Sequence, residues 1–528
     1  MSTSQEMEDL LDEMYNAFTP TPLQPGDPAY VDCRAVRGDD DVLEDLGRTV
    51  RRSQQFTYQL YSGYRGSGKT TELLRLKKDL EDRGHVVVYF AADEEDISVQ
   101  DAQYTDILLA CTRHLLRGLK EANPDPILNW LKGRLRDLQD VMLTEIDIEK
   151  VNLELGLKAF AKLTAAVRTK PGQRQQIRER LEPHTETLIQ AFNDFVKDGS
   201  SHLPQKTKLL VIADNLDRIV PIFKENGRSN HEEIFLDRHE QLKALNCHII
   251  YTVPISMIYS RWATELKDNY GIPLVLPSIM VRQEDGEPYD KGLEILKTVI
   301  QRRIPPSLQA ALIPNVFESE AVLRDLCLMS GGYVRDLVEL MQQAITKTDA
   351  LPIKAKDLQR AADALRDVYK STIEPNEWIQ LAKVSLSKGI NSSQRHLLFK
   401  QYVLEYRYLD TQGDQRVFYV IHPLIEGICD FLDAKSLLLG EAQSFTKSEQ
   451  SVDDIVLLGL EAIYREYQLY LDQKDYKMAS KSALQAVELL SNIAESLDST
   501  QDRDVYRRIV ALRSYWELMA NLYKSRVF

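Results

Sequence analysis

The sequence predicts an α/β core built on a parallel sheet, followed by all-helical segments. Three observations carry this prediction. A glycine-rich run, Gly63-Tyr64-Arg65-Gly66-Ser67-Gly68-Lys69-Thr70, fills the pattern G-x-x-x-x-G-K-[ST] between a strand-like and a helix-like segment. Continuous apolar runs at 85–91, 208–213 and 247–254 suit strands buried on both faces, as parallel strands are. Helical spacing of apolar residues fills most of the chain between and after them.

At 528 residues the chain exceeds what one core supports, and roughly three domains are expected. Its 66 basic and 80 acidic residues give a net charge of -14, which argues against a general nucleic-acid coat. Cysteines 33, 111, 247, 327 and 429 stand apart with no C-x-x-C pair, which suits a reducing cytosol and offers no zinc site. His231 and His239 read as surface residues. The acidic N-terminus has no signal-peptide pattern and no apolar run is long enough to span a bilayer, so a cytoplasmic protein is expected.

In chain order, residues 4–18 form a short acidic amphipathic helix and 19–28 a proline-rich loop. Tyr30-Val31-Asp32 and Arg37-Gly38-Asp39-Asp40 precede a helix over 41–53. The first strand covers 56–62. The helix after the glycine run carries Leu73, Leu74, Leu76 and Leu80 among charges. The second strand, 85–91, ends in Asp93-Glu94-Glu95-Asp96 at the sheet edge where ligands bind; these acids either serve a metal or water or form a solvated loop. Residues 101–200 are a helical insertion, with helices over 101–120, 126–143 and 148–168, a break at Pro171-Gly172, and one helix over 173–198. The third strand delivers Asp214-Asn215-Leu216-Asp217-Arg218. A fourth strand at 247–254 and a fifth at 272–276 complete the sheet. Helices follow over 287–304, 319–329 and 355–369. A helix over 393–403 leads into two strands around Asp410-Thr411-Gln412-Gly413-Asp414, which read as a hairpin. The tail predicts helices over 453–472, 476–495 and 501–525.

The chemistry follows from the turn between strand and helix. Gly63, Tyr64, Arg65, Gly66, Ser67, Gly68, Lys69, Thr70 and Thr71 form a cradle whose backbone N–H groups and helix N-terminus bind phosphate. Lys69 reaches the β/γ-phosphates and Thr70 holds Mg²⁺. Asp214, at the end of an apolar strand, supplies the metal-side carboxylate. Asn215 can orient water but cannot take its proton. Asp217, or an acid from 93–96, is then the substitute base. Arg218 either pairs with Asp217 or reaches a neighbour's phosphate.

These residues resemble AAA+ ATPases over roughly 28–432, and the Asp-x-Leu-Asp-Arg string resembles KAP and STAND-type P-loop NTPases. Those usually read Asp-Asp-Leu-Asp-Arg, so Asn215 is a departure. The resemblance implies ATP and Mg²⁺ as cofactors, and an α/β P-loop NTPase core with a five-stranded parallel sheet of additional-strand type, its third strand between the partners of the first. It makes Tyr30, Val31 and Arg37 a base pocket, or else a packing strap. It implies Thr252 as sensor 1 and Arg261 as a trans-acting arginine. Ser330-Gly331-Gly332-Tyr333-Val334-Arg335 resembles the sensor 2 motif of origin-recognition-type initiators, with Arg335 on the phosphates. The implied domains are a core over 1–280, a helical lid over 281–372, a winged-helix domain over 373–435, and a helical partner-binding or oligomerisation region over 450–528. The expected function is an ATP-binding switch, with slow or partner-stimulated ATP hydrolysis. It would control a protein effector in bacterial-type signalling or antiviral defence, and act as a homo-oligomer. An initiator- or loader-like DNA-binding ATPase is the alternative.

Overall fold

The computed structural model describes residues 4–38, 41–119, 121–142, 153–224, 227–445 and 476–496, with single positions at 463, 464, 467, 470, 513, 516, 517 and 520. The chain divides into two compact units, Met1–Ser436 and Leu437–Phe528.

Five strands make the core of the first unit: β1 (Tyr58–Gly63), β2 (Val86–Ala91), β3 (Leu209–Asp214), β4 (His248–Thr252) and β5 (Leu274–Leu276). They are parallel, in the order β2-β3-β4-β1-β5. The expected place of the third strand is therefore corrected: β1 lies between β4 and β5, and β3 lies between β2 and β4. All of β3 is buried because helices cover both faces. Its side chains alternate with period two. Val211 and Ala213 pack with Ile107, Leu108, Phe192 and Phe195 of the insertion. Leu210 and Ile212 pack with Leu73, Leu76 and Leu80 of the P-loop helix Lys69–Asp82 and with Leu46 and Val50. Each such buried aliphatic contributes about 1.5–3 kcal/mol.

The stretch after β2 is one helical turn, Ala92–Glu95. Asp96 is buried between Arg113 (2.6 Å) and His114 (2.8 Å), so it is neither a metal ligand nor solvated. The insertion comprises Tyr104–Gly118, Asp125–Met142, Leu153–Thr169, Pro171–Leu181 and Thr185–Ser201. The expected break falls at Lys170, between Leu153–Thr169 and the helix that Pro171 opens, where its missing N–H has no partner to lose. The single helix expected over 173–198 is two, separated by the turn Glu182–His184 around Pro183. Buried Arg178 ties the first of them to the helix Tyr104–Gly118 through Asp106 (2.5 Å), and to Asp101 (2.9 Å) just ahead of that helix. His231 is buried, with Nε2 against the Ile219 carbonyl, which corrects its reading as a surface residue.

Four longer helices follow the sheet: Asp290–Gln301, Glu320–Met329, Val334–Thr346 and Ala355–Thr372. Then come helices Pro375–Ser387 and Arg395–Phe399 and the antiparallel pair β6 (Val403–Leu409) and β7 (Gln415–Ile421). Gly413, at φ +86, makes their turn. Helix Cys429–Phe445 was not expected from the sequence. In the tail, Tyr476–Ser496 is helical, while the helices expected over 453–472 and 501–525 lie outside the described residues apart from single positions. Among the described residues no helix is long and apolar enough to cross a membrane.

Candidate functional site

The glycine-rich loop joins β1 to its helix, with Gly66 at φ +86 and Gly68 at φ +98. At Gly66 the requirement is also spatial, because a Cβ there would lie 2.6 Å from Arg335 Cβ. The start of helix Val334–Thr346 thus rests on the loop, and the Arg335 N–H donates to the Gly66 carbonyl (3.3 Å). Arg37 is buried and donates to the Ser67 carbonyl (2.7 Å), holding the loop from the other side. Lys69 Nζ donates to the carbonyls of Gly63 (2.9 Å) and Tyr64 (3.2 Å) and pairs with Asp217 Oδ2 at 2.9 Å.

Asp214 is fully buried. It accepts from the Tyr89 hydroxyl (2.9 Å), the Asn215 N–H (2.7 Å) and the Thr70 hydroxyl. Burial, and next the charge of Asp217, push its carboxyl above the ordinary value. A nearby cation would relieve both effects. Mg²⁺ keeps several waters and is held by one or two carboxylates plus phosphate oxygens, and the adjoining Thr70 hydroxyl and Asp214 carboxylate fit that donor set. Among the described residues no cluster of three or more His, Cys, Asp or Glu could hold a metal, so a phosphate ligand would be needed to complete such a site.

Asn215 adopts φ +64, which asparagine tolerates better than most residues. Its Nδ2 donates to Asp93 Oδ1 (2.7 Å), and Arg218 Nη1 pairs with Asp93 Oδ2 (2.8 Å). Arg218 therefore pairs with Asp93, not Asp217, and both carboxylate oxygens of Asp93 are engaged. The Thr252 hydroxyl is buried, accepts the Leu216 N–H (2.9 Å) and faces the Ala213 carbonyl (3.4 Å). It holds the turn that carries Asp217.

A cavity of about 350 Å³ brings many of the expected residues together. Tyr30, Val31, Arg37, Arg65, Gly66, Ser67, Gly68, Lys69, Thr70, Thr71, Asn215, Asp217 and Arg335 line it. Gly63, Tyr64, Asp214 and Thr252 are not in its lining, nor is Arg261, which stacks on Trp262. Tyr30 places its ring under Arg75 (4.1 Å) and its hydroxyl against Glu72 (3.3 Å). The Thr71 hydroxyl accepts the Leu23 N–H (3.1 Å), strapping the proline-rich loop to the rim. The sequence reading missed Leu23, Val220, Val299, Arg303 and Val338 in the lining. Their only signals were apolar or basic positions in segments read as loop or bundle helix.

The lining carries six cations (Arg37, Arg65, Lys69, Arg218, Arg303, Arg335) against two carboxylates (Glu72, Asp217). This local excess stands within a chain of net charge -14. Burial, and next the like charge of Arg65, lower the proton affinity of the Arg335 guanidinium. Such an arrangement favours a multiply charged anion.

The loop also touches the hairpin region. Gln401 donates to the Arg65 carbonyl (2.7 Å). Buried Tyr64 meets Tyr333 edge-on at 5.9 Å, and Tyr333 stacks with His422 at 6.4 Å. His422 Nε2 lies 3.0 Å from Asp336, and the Tyr406 hydroxyl donates to the Gly331 carbonyl (2.8 Å).

No family model matches the chain, and no curated protein matches it in sequence. Solved structures with a similar chain trace include Cdc6p from Pyrobaculum aerophilum, at 11% identity over 80% of this chain and 97% of that one, with a TM-score of 0.36. The ORC2 protein of Aeropyrum pernix in ADPNP–ADP complexes shares 12% identity over 80% of this chain and 98% of that one, at a TM-score of 0.35. A Walker-type ATPase of Pyrococcus abyssi shares 14% over 75% and 98%, at 0.33. Within this chain, the loop on the β1 turn, the carboxylate ending β3 and the sheet order together make an α/β P-loop NTPase fold.

Proposed function

We propose that the chain is an ATP-binding molecular switch, in which nucleotide in the cavity biases the lid and the hairpin region. One observation carries this reading: the phosphate loop, the turn after β3 and Arg335 of the lid line the same electropositive cavity. The backbone N–H groups of the loop and Lys69 take the phosphates. Thr70 and Asp214 hold Mg²⁺, and Arg335 reports the phosphates to the lid. A ligand shifts such an equilibrium only through different affinities for its two states, and a phosphate touching both core and lid supplies that difference.

Hydrolysis is slow or partner-stimulated in this reading. Asn215 cannot accept a proton, and Asp93 is held by Asn215 and Arg218. The output is control of a protein effector by nucleotide-dependent conformation or homo-oligomer assembly, as in STAND-like signalling or defence. The acidic charge supports it.

A second reading, an initiator- or loader-like DNA-binding ATPase with a winged helix, takes its support from the chain order of core, lid with Gly331-Gly332-x-x-Arg335, and helices with a hairpin. Against it, Arg407 pairs with Glu405 and Arg416 with Asp410, leaving little unpaired positive charge from those arginines on the hairpin. Mass photometry with ATP, ADP and no nucleotide, alongside phosphate release, separates the two. ATP-dependent assembly with slow release supports the switch. Turnover only on adding DNA, with salt-sensitive affinity, supports the second reading.

A further inference from the structure

Lys69 has three donors, and all three are spent inside the chain, on the Gly63 and Tyr64 carbonyls and on Asp217 Oδ2. The partner carboxylate is fixed from both sides. Asn215 turns the chain at φ +64, the Leu216 N–H is held by the Thr252 hydroxyl, and Arg218 is anchored on Asp93 across the strand ends. Asp217 is thereby aimed at the lysine by a rigid turn. Its Oδ1 is buried with no hydrogen-bond partner, an acceptor left unsatisfied beside the phosphate loop. Both side chains of the pair are nearly buried, at 8% and 13% exposure, so the pair is little screened by solvent.

We propose that Asp217 is a specificity-determining residue, a built-in competitor for Lys69 that only a β- or γ-phosphate displaces. The inference rests on the nucleotide reading of the cavity. The carboxylate occupies the one lysine donor not fixed on loop carbonyls, and an arriving phosphate must take it. Once displaced, Asp217 faces that phosphate as a like charge. The ion pair thus weakens every nucleotide that reaches Lys69 and leaves untouched any that does not. A monophosphate, which stops short of the β-position, gains nothing from its removal.

The test is calorimetric titration of the full chain with Mg²⁺ and ATP, ADP or AMP, in wild type, Asp217→Asn and Asp217→Ala. Both substitutions should tighten ATP and ADP about tenfold or more, because an uncompensated buried ammonium gains most from a new partner, and leave AMP unchanged. The second variant keeps the test decisive if one does not fold, as does the direct readout of the pair: the thermal midpoint without nucleotide should fall in either variant and recover more than wild type on adding ATP. Wild type that binds ATP while neither variant binds it more tightly would overturn this inference alone. Equal tightening for AMP would also overturn it. Wild type that binds no nucleotide would overturn both the inference and the reading of the cavity.

Discussion

Asn215 shows how one side chain shapes the chemistry available to the site. Its carboxamide faces Asp93 at 2.7 Å and so serves as a donor, not a base. Asn215→Asp would set two carboxylates against each other, and both cannot ionise cheaply. The expected cost is about 1–3 kcal/mol at neutral pH, shrinking as the pH falls and the pair shares a proton; thermal melts of variant and wild type from pH 7 to pH 5 measure it. His248 in β4 provides a second test. Burial, and next the charges of Lys208 and His85, bring its imidazole down to about 4, while Nδ1 accepts the Thr57 N–H. The folded value lies below the unfolded one of about 6.5. Its contribution is therefore full above that pH and is lost as the pH falls toward 4. Wild type should lose stability across that window more steeply than His248→Phe, as read by denaturant unfolding at each pH. Lys69, Thr70 and Asp214 were legible from motif spacing alone. Asp93 as the partner of Asn215 and Arg218 was not, because the contact joins positions more than a hundred residues apart.

At the scale of elements, two glycines seat the helix Val334–Thr346. A Cβ at Gly332 would lie 1.8 Å from the Ile279 carbonyl oxygen, at φ +80. Gly332→Ala should cost upwards of about 3 kcal/mol, seen as a lowered melting midpoint. Gly66→Ala meets Arg335 Cβ at 2.6 Å and φ +86. It should push the helix Val334–Thr346 off the loop and weaken ATP binding by roughly tenfold, about 1.4 kcal/mol, as read by calorimetric titration. Strands were legible because parallel strands are apolar on both faces, and the hairpin because Gly413 punctuates it. The helices were less so. Alternating charges over 173–198 gave no sign of the turn at Pro183, and helix Cys429–Phe445 carries too little amphipathic contrast to stand out.

Across the whole molecule, the sheet and its phosphate loop follow from local pattern, whereas the seating of helix Val334–Thr346 and the hairpin region on that loop does not. Gln401 reaches Arg65 across most of the first unit, and Tyr64, Tyr333 and His422 form a buried aromatic run between them. Those contacts connect the phosphate loop to the hairpin. With Mg²⁺ and ATP, amides in Val334–Thr346 and Val403–Leu409 should exchange more slowly with deuterium. Gln401→Ala should keep ATP binding and lose the effect at Val403–Leu409; an unaltered hairpin response in that variant would argue against the route.

The first experiment is a calorimetric titration of Mg²⁺ and ATP into wild type and Lys69→Ala. The nucleotide reading of the cavity predicts one saturable site in wild type and none in the variant. Absence of binding in wild type, or unchanged binding in Lys69→Ala, would contradict it.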